Sequence, residues 1–344
     1  MAKGLQLRSP LTLATAALLG GLAWLRSRRR VSLRGSCVVV TGGSRGLGLV
    51  LARELADAGA RLVLCARDGG ELEAARRDVE ARGAEVLAVP CDVTDRDEVR
   101  RLFAAAEERF GRVDVLVNNA SIIQVAPAET LSLRDLEAAV AANFWATVYA
   151  TLEVLPRMRE RGSGRIVNVT SIGGTVAVPH LLGYTSGKFA AVGFSSGLAV
   201  EAAKDGIAVT TVVPGLMRTG SFLNALVKGR RAEEATLLSI ASSLPVLTMS
   251  ARRAARRIVL ACERGEGFVT LGVPAKMLRL ASALAPNLTA DVLSIAARLL
   301  PGPGGDRAES RAEPAWMHRR GPTFLTALGE QAATENNEQP VFRH

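Results

Sequence analysis

Only two tyrosines occur in this 344-residue chain, and one, Tyr184, is followed four positions later by Lys188 in the run YTSGK, with Ser171 thirteen positions upstream. Residues four apart are neighbours on an α-helix surface, so this spacing sets a cation beside a phenol. A free phenol has a pKa of about 10, and a nearby cation favours the phenolate. Such a pair can therefore exchange a proton with an alcohol or carbonyl oxygen near neutral pH. The Ser171 hydroxyl can donate to the same oxygen and stabilise charge that develops there. A Tyr-x-x-x-Lys spacing alone says only that two side chains share a helix face; its place just beyond the strand-like run GRIVNVTS is what gives it weight.

A proton relay of this kind needs a reaction partner held beside it, and the run TGGSRGLG at 41–48 has the residues to hold one. After the strand-like CVVVT, Gly42, Gly46 and Gly48 permit a tight turn, close backbone approach to a pyrophosphate and tight helix packing. The following helix N-terminus offers free N–H groups to the anion. The spacing departs from G-x-G-x-x-G, so the strand before and the helix after carry much of the inference. About twenty residues on, where an NAD-binding chain would put a carboxylate against the ribose, stand Ala66 and Arg67. Arg67, with Arg45 inside the turn, can clamp a 2′-phosphate through a planar donor fork, which favours NADP over NAD. Asp68 next door keeps NAD as the alternative.

The elements that position these groups alternate along the chain. SCVVVTG, RLVLCAR, EVLAVPCDVT, VDVLVNNA, GRIVNVTS, IAVTTVVPG and GFVTLG read as short apolar strands. Between them lie helical runs such as LGLVLARELADAG, ELEAARRDVEARG, DEVRRLFAAAEERFG and a long helix near 132–160. The pattern predicts an α/β fold, a doubly wound Rossmann-type parallel sheet with helices on both faces and ligands at the carboxyl ends of the strands.

Composition narrows the classes. A 48% hydrophobic content over 344 residues is ample for a sizeable core. The net charge of +10 raises the question of nucleic acid, but aromatics are only 4% and no basic stripe is interleaved with stacking rings, so no nucleic-acid groove is expected. Cys37, Cys65, Cys91 and Cys262 lack C-x-x-C spacing and read as buried thiols in a reducing compartment; the three histidines are scattered, and no metal site is expected.

The ends differ from the middle. From Leu11 to Leu25 no charge appears, and RSRRR follows at 26–30. Residues 1–30 therefore read as a hydrophobic membrane-anchor helix with a basic flank, and the positive-inside rule puts the rest of the chain in the cytoplasm. A helix of about 17 residues is about 26 Å long, against a hydrocarbon core of about 30 Å, so it can span thinly or lie in the interface. A packed soluble helix and a cleaved signal are the alternatives. Residues 31–272 form the expected catalytic domain. Residues 273–300 read as an amphipathic helical extension, either touching the membrane or packed on the core or a second copy. Residues 301–314 have linker composition, and the tail to His344 reads as disordered.

In order along the chain stand TGGSRGLG, CDVT, NNA, an isolated Asn143, Ser171, YTSGK and Pro214-Gly215. With these motifs, residues 35 to about 272 resemble the short-chain dehydrogenase/reductase superfamily. The resemblance implies catalytic roles for Asn143, Ser171, Tyr184 and Lys188, with Lys188 also on the nicotinamide ribose and Asn143 holding a water that links Lys188 to solvent. It implies that Ser44, Arg45 and Leu47 join the three glycines and Arg67 at the cofactor. Asp92 would then contact the adenine with Val93 beside it, Asn118 and Ala120 would stand next to the cofactor, and Pro214, Gly215 and Thr219 would flank the nicotinamide. The family usually has NNAG, where this chain has Ser121. Homodimers or homotetramers built on the helices of Asn143 and Tyr184 are also implied.

In this family the segment after Pro214-Gly215 closes the pocket. Here it is apolar and reads as a mobile helical lid over a lipophilic carbonyl. The expectation is a membrane-associated, NADPH-dependent reductase of a ketone or aldehyde on a hydrophobic, lipid or acyl substrate. Oxidation of a secondary alcohol of sterol or retinol type, a non-catalytic NADP-binding sensor and a membrane scaffold are the alternatives.

Overall fold

The structure, a computed structural model, describes residues 30–304, 310–311 and 323–338. Seven strands, β1 (Cys37–Thr41), β2 (Arg61–Ala66), β3 (Val86–Pro90), β4 (Val115–Asn118), β5 (Gly164–Val169), β6 (Ile207–Pro214) and β7 (Phe268–Leu271), form one sheet. All pairs in it are parallel, in the order β3-β2-β1-β4-β5-β6-β7. The order reverses between β1 and β4, the place in a doubly wound sheet where a crevice opens at the carboxyl ends.

Alternation along each strand explains the two-sided core. In β1 and β2, Val38, Val40, Leu62 and Leu64 turn to one face, where they meet α1 (Gly46–Asp57), α2 (Gly69–Glu80) and α8 (Ala251–Arg264). Cys37, Val39, Val63 and Cys65 turn to the other, against α3 (Arg96–Phe110), α5 (Ala146–Glu160) and α6 (Leu182–Glu201). Strands covered on both faces must be apolar throughout, which is why these runs show no polar alternation. Each buried Val or Leu contributes about 1.5–3 kcal/mol by leaving water.

The long helix expected near 132–160 is continuous but not uniform. α4 (Leu133–Val140) opens with a capping box between Ser132 and Asp135, then a π turn over Ala141–Trp145 leads into α5. A π turn inserts a residue and is not visible in apolar spacing. Among the described residues, Leu133–Glu160 is the one helix long and apolar enough to cross a bilayer; half of its apolar window is buried in the protein, and it packs on α3 and α6. The apolar run expected to form an N-terminal helix lies outside the described residues.

Beyond β6 come the two-residue strands Met217–Arg218 and Leu226–Val227 and the helix α7 (Arg231–Ser243). The extension at 273–300 is helical but divided: α9 (Val273–Leu284) stops at Ala285 and α10 (Pro286–Ala297) starts. Pro286 opens the second helix and bars the residue before it from helical backbone.

The disorder expected for 301–344 does not hold for 323–338. There α11 (Thr323–Glu335) packs on α7, with Ala332 and Ala333 buried. Small residues let it seat closely: Gly329 lies against Ser243 and Phe222, and Gly220, at φ +88°, lies against Ala333. An apolar face made of alanine and glycine is a weak signal in sequence, and polar neighbours on both sides hid it.

Candidate active site

The glycine turn forms as β1 ends. Gly42 (φ +64°) and Gly46 (φ +55°) hold left-handed backbone that other residues rarely adopt, and a β-carbon on Gly48 would strike the Gly42 carbonyl. Asn119 locks the turn in place: its amide donates to the Thr41 and Gly42 carbonyls at 3.1 Å each. Thr41 Oγ1 accepts from the backbone N–H of Asn119 and Ala120 at 3.0 and 3.1 Å. The sequence reading missed Asn119; the second asparagine of NNA was its only signal.

Above the carboxyl ends of the strands lies a cavity of about 790 Å³, within the range of small-molecule sites. Gly42, Ser44, Arg45, Leu47 and Gly48 form one wall, Arg67, Asp92 and Val93 one end, and Ala120 the floor nearby. Ser171, Tyr184 and Lys188 face it from β5 and α6, and Pro214, Gly215 and Thr219 from the end of β6. Three expected residues do not line it. Asn118 is buried behind the wall, donating to Thr151 Oγ1 and Asn168 Oδ1 at 3.1 and 2.8 Å. Gly46 is covered by the Glu338 carboxylate. Asn143 sits in the π turn.

Ser171 follows β5 and caps a short 3₁₀ turn, its Oγ accepting from Gly173 N at 3.1 Å. Tyr184 and Lys188 stand one turn apart on α6, with Lys188 Nζ 5.7 Å from the centre of the Tyr184 ring. Lys188 is buried, and its ammonium donates to the Val169 carbonyl at 3.2 Å. Burial pulls its pKa down to about 8. Burial also raises the Tyr184 pKa, with the facing Ser171 hydroxyl pulling the other way. At neutral pH the phenol therefore keeps its proton. Two glycines bring the parts together: a β-carbon on Gly174 would lie 2.6 Å from the Lys188 carbonyl oxygen, and one on Gly187 would lie 2.8 Å from Asn143 Cβ. The Asn143 amide donates to the Ile122 and Ala139 carbonyls at 3.1 and 3.0 Å. Its Oδ1 is buried with no partner among the described residues, an open acceptor.

At the far end, Arg67 is exposed and has no ion pair among the described residues, whereas the Asp68 carboxylate caps α2 by accepting from Gly70 N and Glu71 N. Arg45 is engaged: its guanidinium meets Glu71 at 2.9 Å and Glu338 at 3.5 Å. Asp92 Oδ1 accepts from Thr94 N and Oγ1 at 2.9 and 2.7 Å, which fixes its loop. Cys65 and Cys91 line the same end, and the Cys65 thiol stays protonated because its hydrogen bond to Cys91, then burial, raise its pKa. Glu71 and Glu338 were not anticipated; nothing in their sequence neighbourhoods marks them.

The opposite end is apolar. Leu226, Leu238 and Leu247 line it from the segment after β6, and Ala275 and Leu278 from α9. The bare backbone at Gly42 and Gly48 beside the cavity fits a dinucleotide cofactor, whereas at Gly46 the Glu338 carboxylate occupies the corresponding space. Among the described residues no group of His, Cys, Asp and Glu could hold a metal ion.

Known proteins resemble this chain in sequence and in fold. The family described as short chain dehydrogenase matches residues 36–227. The chain is 40% identical over 181 residues to oxidoreductase BOA17 of Botryotinia fuckeliana (strain B05.10), a match covering 52% of this chain and 65% of that protein. It is 38% identical over 186 residues to the granaticin polyketide synthase putative ketoacyl reductase 1 of Streptomyces violaceoruber, over 53% of this chain and 67% of that one. The chain thus spans about two thirds of the length of these relatives. Among solved structures it is similar to a short-chain dehydrogenase from Streptomyces avermitilis, with a TM-score of 0.66 and 30% identity, covering 78% of this chain and 99% of that one.

Proposed function

Since the chain belongs to the short-chain dehydrogenase family, we propose that it is an NADPH-dependent oxidoreductase that reduces a ketone or aldehyde on a hydrophobic, acyl- or lipid-like substrate. The observation that carries the reading is that Ser171, Tyr184 and Lys188 face the same cavity as the glycine turn. A nicotinamide dinucleotide, when bound, supplies the hydride. The protein's own groups do the rest. Tyr184, kept protonated by burial, gives its proton to the carbonyl oxygen as that oxygen gains charge. Ser171 donates a hydrogen bond to the same oxygen. The Lys188 ammonium favours the phenolate left behind, and the open Asn143 Oδ1 is a site for a water that returns the proton.

Arg67 supports NADPH over NADH, because the neighbouring Asp68 is committed to its helix cap. The apolar end of the cavity and the ketoacyl reductase among the relatives support a lipophilic carbonyl. Exposed Val273, Met277, Leu280 and Leu284 on α9 continue as Leu288, Val292 and Ile295 on α10. With the leading apolar segment and its arginines, this stripe supports a bilayer surface beside the cavity mouth. Exposed Trp145 in the π turn, Leu152 on α5 and Phe189 on α6 support pairing with a second copy through those helices.

The test is consumption of NADPH, and separately NADH, with lipophilic ketones, aldehydes and 3-keto acyl compounds, followed at about 340 nm beside Tyr184→Phe. NADPH-dependent turnover lost in the variant supports the reading; turnover that survives it removes Tyr184 as the proton donor.

A further inference from the structure

Residues 336–338, just past α11, lie across the glycine turn. The Asn336 carbonyl accepts the backbone N–H of Gly46 at 2.8 Å, and the Asn336 amide reaches the Thr219 carbonyl at 3.4 Å. Asn337, at φ +56°, donates to the Ser44 and Glu71 carbonyls at 3.1 and 3.4 Å. Glu338 is 4% exposed, and its carboxylate accepts from the Asn224 amide at 2.6 Å and faces the Arg45 guanidinium at 3.5 Å. An Oε1 of that carboxylate fills the space a β-carbon on Gly46 would need.

That space has a known physical purpose in such a turn. A glycine there lets an anionic diphosphate approach the backbone, and the N–H groups at the start of α1 point toward the anion. Here a carboxylate takes the space and a carbonyl takes the Gly46 N–H. We propose that residues 336–338 form an autoinhibitory strap in which Glu338 stands in for the cofactor diphosphate, so that the cofactor binds only after the strap lifts. The inference rests on the reading of the cavity as a dinucleotide site. Strap and cofactor cannot share the place, since both need the same N–H groups and the same gap. Lifting the strap also frees Arg45 from Glu338, leaving Glu71 as its partner. The protein then exists as a strapped form that excludes cofactor and an open form that admits it, and the observed affinity is the intrinsic one reduced by the open fraction.

The experiment titrates NADPH, by its fluorescence, into the full chain and into full-length Glu338→Ala and Asn337→Ala. The second variant removes strap contacts without changing charge. Glu-specific protease is then used to follow cleavage after Glu338 with and without NADPH. For a strap closed about nine-tenths of the time, both variants bind NADPH about tenfold more tightly, and NADPH speeds cleavage after Glu338. Equal dissociation constants in all three proteins, weaker binding by the variants, or protection of Glu338 by NADPH overturns the strap, because each means that the segment is a wall of the loaded site. Absence of NADPH and NADH binding in all three proteins overturns the dinucleotide reading itself, and the strap with it.

Discussion

The Lys188 ammonium stands 5.7 Å from the centre of the Tyr184 ring, one turn along the same helix, and donates to the Val169 carbonyl at 3.2 Å. The charge of one side chain is thereby tied to the proton of the other. Tyr184→Phe removes the proton without changing the shape of the wall. Carbonyl reduction is expected to fall about 10²–10⁴-fold, with NADPH affinity changed little. Single-turnover rates beside a fluorescence titration check it.

Burial lowers the Lys188 pKa to about 8. The ammonium that assists Tyr184 is therefore present below that value and lost as pH rises through it. The reduction rate is expected to decline above pH of about 8, and in Lys188→Arg, which stays charged, any remaining activity should not show that decline. A decline at the same pH in both proteins would assign the titration to another group.

Glu338 gives a second, separable pH dependence. Burial pushes its pKa up to about 7, with Glu71 adding to the rise and Arg45 and the Asn224 amide opposing it. Since the strapped position raises the pKa, it favours the protonated acid, and its hold weakens as pH rises from about 4.5 to about 7. Glu338→Gln mimics the acid and stays strapped. The unmodified chain is expected to approach Glu338→Gln in NADPH affinity as pH falls toward about 4.5 and to bind more tightly than it near pH of about 8, measured by titration at each pH.

Cofactor choice turns on the far end of the cavity. Arg67→Ser is expected to weaken NADPH binding about 10- to 100-fold, the loss of a charge-assisted contact, and to leave NADH unchanged. Glu71→Gln releases the Arg45 guanidinium from its 2.9 Å partner and is expected to favour NADPH over NADH. Dissociation constants for the two nucleotides decide both.

At Gly220, φ is +88° and any β-carbon would meet Ala333 of α11. Gly220→Ala is expected to loosen α11 and to lower the melting temperature. Faster hydrogen exchange confined to 323–338 and its contacts would mark the change as local.

The sheet and its helices were legible because seven apolar runs alternate with amphipathic ones, and a strand buried on both faces leaves a continuous signature. The glycine turn, Ser171, Tyr184 and Lys188 were legible because each sits at a strand end or on one helix face. Glu338 was not: it reaches Gly46 across nearly the length of the chain, and no local pattern records so distant a contact. Glu71 was hidden for another reason, since a glutamate in the first turn of a helix has an ordinary role there. Asn119 was overlooked because its work is done on backbone carbonyls.

The π turn at Ala141–Trp145 makes the helix around it sensitive to its count of residues. Ahead of it, α4 is set against α6; after it, Thr151 on α5 meets Asn118 beneath the sheet. Each residue added to or taken from an α-helix turns everything beyond it by about 100°. Deleting Ala142 would take out the extra residue that the π turn absorbs and leave Thr151 and Val154 in phase, at the cost of the turn that seats Asn143, whereas a residue taken from α5 ahead of Thr151 would rotate both out of the core. In this stretch the number of residues is as much a part of the site as their identity.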